Sequence, residues 1–166
     1  MPHSLIIQLT EKKVSKKEHI TIFDINEDAV YLNNADYGGA EGNFKESFSE
    51  IKQKLGHLAT FNKKKQTMTF RKETQLKRLY MDKVRKLYLT IKNTLRQDGM
   101  PDVPNHRRVI QRIESLGTYN CLLHYDDGSG AARCHTAAEA VIDYLNGRIP
   151  RTMKIGAILD YHYPLN

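Results

Sequence analysis

The sequence predicts an α+β fold: one compact domain over residues 1–166, with a mixed or antiparallel sheet built from hairpins, about four helices, and one long basic helix at about 73–97. Three observations carry this expectation. Short β-branched runs are separated by turn signals, helix-period stripes begin at capping residues, and the two kinds of segment do not alternate strictly. Strict alternation would have indicated a doubly wound parallel sheet. A chain of 166 residues fits one domain, with at most a weak boundary near 99–104, where Pro101 and Pro104 lie.

Ser4 to Leu9 reads as a first strand, and His19 to Ile25, alternating and β-branched, as a second. Ala29 to Leu32 is a candidate third. Asn33 to Gly42, rich in Gly and Asn, reads as the longest loop. A helix is expected after it. Asn43 stands at the N-cap with Glu46 three residues on, Phe44, Phe48, Ile51 and Leu55 form one apolar stripe, and Gly56 is the stop. Leu58–Phe61 and Gln66–Phe70 read as strands around Asn62-Lys63-Lys64-Lys65.

Glu73 to Gln97 carries the clearest helical period, through Leu76, Tyr80, Val84, Leu87, Ile91 and Leu95, with Leu79 and Tyr88 flanking. A shorter helix is expected over about 105–116. Thr118–Tyr125 and Gly130–Cys134 read as a hairpin with a two-residue turn at Asp127-Gly128. Thr136 and Glu139 form a capping box for another helix, and Gly147 ends it. Met153 to Tyr163 is the last strand, with Ile155, Ala157, Leu159 and Tyr161 in period two.

The net charge of +7 is unevenly distributed. Residues 62–96 hold 12 Lys/Arg against only Glu73 and Asp82, a balance of +10, whereas residues 1–61 sum to −2 and residues 97–166 to −1. Such asymmetry points to an electrostatic partner. At 100° per residue, Arg78, Arg85, Lys92 and Arg96 share one side of the long helix, beside the apolar stripe. Arg78, Arg85 and Lys92 are spaced by about 10 Å along the axis, a row able to follow a phosphate backbone. Lys63, Lys64 and Lys65 would extend that surface. The expected partner is nucleic acid or an acidic protein surface, and the expected function a non-enzymatic regulatory or accessory one. No helix-turn-helix, zinc-finger or aromatic RNA-binding signature accompanies the cations.

Two chemical readings compete with this. Asp24, Asn26 and Asp28 have the opening spacing of a calcium loop, but Ala29 and Ala35 stand where that loop needs Gly and Glu, so no metal is assigned. His124, Asp126, His135, Asp160 and His162 are side chains that a metal-dependent phosphodiester hydrolase uses, provided they converge. A two-residue turn would pair Cys121 with Cys134 and His124 with Ala131. It would put His124 and His135 on one face, about 13 Å apart. No glycine-rich phosphate loop, nucleophile elbow or Cys-x-x-Cys is present, so no cofactor is expected. The chain shows no run of 18 apolar residues and no signal-peptide core, which points to a cytoplasmic protein without membrane attachment, its thiols reduced.

Overall fold

The structure, a computed structural model, describes residues 3–25, 37–96, 107, 108, 110, 113, 116, 118 and 121–162. Among the described residues, seven strands form one mixed sheet. They are β1 (His3–Thr10), β2 (Tyr37–Gly42), β3 (Ala59–Asn62), β4 (Thr67–Phe70), β5 (Cys121–Asp126), β6 (Ala132–Thr136) and β7 (Thr152–His162). The order is β3-β4-β7-β1-β5-β6, and β2 also pairs with β7. Strands β1 and β5 run parallel, with Leu5 opposite Cys121; every other pairing is antiparallel. The α-helices described over their whole length are α1 (Ile22–Ile25), α2 (Phe44–Leu55), α3 (Glu73–Arg96) and α4 (Ala137–Leu145).

The sheet buries both faces, unequally. The larger core joins Leu5, Ile7 and Leu9 of β1 to Phe44, Ile51 and Leu55 of α2, with Val141 of α4 and Tyr125, Met153 and Ile158 beside them. Phe70 and Tyr144 stack there at 5.1 Å. Each such side chain contributes about 1.5–3 kcal/mol when fully buried. The smaller core holds Ile6, Ile20, Ile25, Leu122, Ala157 and Leu159. Among the described residues, no helix is long and apolar enough to cross a membrane.

Helix α2 starts where Asn43 Oδ1 accepts from Lys45 N at 2.9 Å. Helix α4 has a complete capping box between Thr136 and Glu139, and Gly147 follows it at φ +72°. Both helices therefore begin at the residues their sequence signals mark.

Four expectations need correction. His19–Ile25 is not a strand. Thr21 N–H and Oγ1–H both donate to Asp24 Oδ2, which opens the short helix α1 and outcompetes the β-branched propensity of the run. Tyr37–Gly42 is not loop but strand β2, because β7 is 11 residues long and its edge beyond β4 accepts a further partner.

The third correction is on β7. Period two over Ile155, Ala157 and Leu159 does not describe one face. The register shifts opposite Ile7 and Leu9, so Ile155 joins the larger core while Ala157 and Leu159 join the smaller. Gln8 stabilises the shift: its Oε1 accepts from Ala157 N at 2.9 Å and Ile20 N at 3.3 Å, and its Nε2 donates to Glu18 O at 3.0 Å.

The fourth concerns the β5–β6 hairpin. Asp126 pairs with Ala132, Tyr125 with Arg133, His124 with Cys134 and Leu123 with His135. The connection is residues 127–131, not two residues. Asp126 Oδ1 accepts from Gly128 N at 2.9 Å and Gly130 N at 3.1 Å, Asp127 Oδ1 accepts from Ser129 N at 3.1 Å, and both glycines take positive φ. These local bonds favour the wider loop. The resulting slip of three is odd, so it exchanges the two faces of β6. Cys121 lies in the larger core and Cys134 against the smaller, and neither is disulfide-bonded.

The expected strand at Ala29–Leu32 and the boundary near 99–104 lie outside the described residues. So does most of the helix expected over 105–116, of which Arg107, Arg108, Ile110 and Ile113 are helical.

Candidate nucleic-acid interface

Helix α3 leaves β4 after two residues and runs 24 residues, about 36 Å. Of its side chains described, only Leu76 is buried, and Leu79 packs at the edge of the larger core. Beyond that first contact the helix presents Tyr80, Met81, Tyr88 and Leu89 to solvent, Tyr88 at 60% exposure. The stripe read from the sequence is thus buried at Leu76, half-buried at Val84 and Leu87, and exposed at Tyr80 and Ile91.

Arg78 and Arg85 are exposed and Lys92 is partly covered. None of the three has an ion pair among the described residues; Lys77 instead pairs with Glu73 within the same helix. Lys92 Nζ stands 5.8 Å from the Tyr88 ring centroid, a cation–π contact on the open side. Arg96 closes the helix and is described by its backbone. Tyr88, first read as a flank of the apolar stripe, is an addition to the candidate surface. Its signal in the sequence is its position, four residues before Lys92 and one turn from it.

The lysine turn is placed apart from this row. It joins β3 to β4 at the end of β4 away from α3, so the length of β4, about 13 Å, lies between the turn and the start of α3. Lys63, Lys64 and Lys65 are exposed, and Lys63 Nζ lies 5.6 Å from the Phe48 ring centroid. Lys65 borders a groove of about 580 Å³, lined by Thr60, Thr69 and Thr152 with Glu11, Asn62 and Lys154 alongside. Thr69 and Thr152 hydroxyls meet there at 3.0 Å.

The hydrolase set does not converge. Because cross-strand partners share a face, His124 goes with Cys134 toward the smaller core and His135 with Leu123 toward the larger. Asp126 spends one carboxylate oxygen on the amides of its own loop. Asp160 is opposite Leu5, and β1 and β5 separate its strand from His135 by about 14 Å. His162 pairs with His3 at the end of β7. The odd slip of the hairpin is what divides the two histidines.

No family model, no curated protein and no solved structure matches this chain.

Proposed function

We propose that this protein binds nucleic acid, without catalysing a reaction on it, through the open face of α3 and the lysine turn, as a regulatory or accessory factor. The observation that carries the reading is the row of Arg78, Arg85 and Lys92, without an ion pair among the described residues and set beside an exposed Tyr88. Cations spaced along a helix neutralise phosphates and release counterions without reading sequence. Arg adds bidentate contacts to phosphate oxygens. An exposed tyrosine offers a stacking surface to an unpaired base, worth about 1–3 kcal/mol. The exposed Lys63, Lys64 and Lys65 of the turn would supply a second basic contact.

One observation favours a second reading, an acidic protein partner. Met81 and Leu89 are 61% and 48% exposed beside the cations, and a phosphate backbone has nothing apolar to cover them. An amphipathic acidic helix has.

Fluorescence anisotropy with labelled generic duplex DNA and single-stranded RNA, at rising salt, separates the two. Saturable binding that weakens steeply with salt is expected. Absence of binding to both polymers at low salt refutes the first reading and leaves the second.

A further inference from the structure

We propose that Asp127, His135 and Asp143 form a binding site for a divalent transition-metal cation, zinc foremost. The inference stands independently of the α3 surface. Three elements bring these residues together: the loop after β5, strand β6 and the last turn of α4. One ligand atom from each lies within 4.8 Å of the others. Tetrahedral zinc with bonds of about 2.1 Å holds its ligand atoms about 3.4 Å apart, so a modest contraction closes the set.

The environment is that of a built site. The side chains of His135, Asp143 and Asp127 are 6%, 7% and 10% exposed. His135 Nε2 is buried with no hydrogen-bond partner, and Nδ1 stands 4.0 Å from Asp143 Oδ2, beyond hydrogen-bond range. Nδ1 is the nitrogen that faces Asp143, and a cation bound there gives it a partner. The outer groups hold the ligands in place. Tyr125 donates to Asp143 Oδ2 at 2.7 Å, and its ring stacks on His135 at 4.1 Å. Orienting partners of this kind normally surround metal ligands.

The two carboxylates are balanced by guanidinium groups that are free to leave. Arg133 Nη2 lies 2.8 Å from Asp127 Oδ2, and Arg148 Nη1 lies 3.2 Å from Asp143 Oδ1. Those arginine side chains are 56% and 58% exposed, so both can withdraw into solvent when a cation enters. Two carboxylates and one imidazole suit zinc, and at equal availability zinc outcompetes manganese at such donors.

The test is zinc titration by calorimetry on the tag-free, chelator-stripped full chain. One zinc per chain is expected, with affinity reduced about tenfold or more in Asp127→Asn and in Asp143→Asn, and increased in Arg133→Ala. Asp127 lies in a loop, so its variant decides the question even if Asp143→Asn fails to fold. The increase on removing Arg133 is a result that zinc held by other histidines cannot give. No saturable zinc binding, or binding unchanged in Asp127→Asn and Arg133→Ala, overturns the proposal.

Discussion

The Tyr125 hydroxyl donates a 2.7 Å hydrogen bond to Asp143 Oδ2 within the larger core, joining β5 to α4. Burial, reinforced by the bond to Asp143, raises the phenol far above its usual range, so it remains a donor throughout the working pH range. Removing it leaves a buried carboxylate short of a partner. Tyr125→Phe is therefore expected to cost about 1.5–3 kcal/mol in urea unfolding. A loss below about 0.5 kcal/mol would show that Arg148 alone satisfies Asp143.

Gly156 is where β7 changes face. A Cβ added there would meet Gln8 Oε1 at 2.5 Å and Val14 Cγ2 at 3.2 Å. That oxygen already serves Ala157 N and Ile20 N, so it cannot retreat without breaking them. Gly156→Ala is expected to destabilise by about 1–3 kcal/mol, and by less in a Gln8→Ala background. Equal costs in both backgrounds would mean that the clash is not with Gln8.

Burial pushes the Cys121 thiol up to about 12. The thiolate is the nucleophile, so iodoacetamide at pH 8 should leave Cys121 unmodified in the native state and alkylate it in denaturant. Because the two cysteines occupy opposite faces, mild oxidation should produce no bond between Cys121 and Cys134. Peptide mapping decides both points. An intramolecular disulfide formed under native conditions would restore the two-residue hairpin.

Much of the fold was legible where a local pattern had no rival. The stripe of α2, the capping box at Thr136 and Glu139, and the long period of α3 all mark elements that form. What failed had a specific competitor. Asp24 turned a β-like run into α1, and Asp126 and Asp127 widened a hairpin whose Asp-Gly step suggested the tightest turn. One odd slip then moved every side chain of β6 to the other face, which dismantled the grouping of His124 with His135. Asp143 was illegible for another reason. Its one signal is an acid on the flank of an otherwise apolar helix face, and only the packing of α4 on β6 brings it to His135. The Arg78 to Lys92 row needed only the helical period. The exposure of the apolar stripe beside it depended on how much of α3 the core covers, which no periodicity reveals.

The central claim is that the α3 row contacts phosphates, and the salt dependence of binding tests it most directly. The measurement compares the natural chain with the triple variant Arg78→Gln, Arg85→Gln, Lys92→Gln on duplex DNA over a salt series. Each lost phosphate contact removes about 0.9 from the slope of log K against log salt, so a drop of about 2.7 is expected, with folding stability kept within about 1 kcal/mol. Parallel slopes for the two proteins would contradict the account and place the contact surface elsewhere.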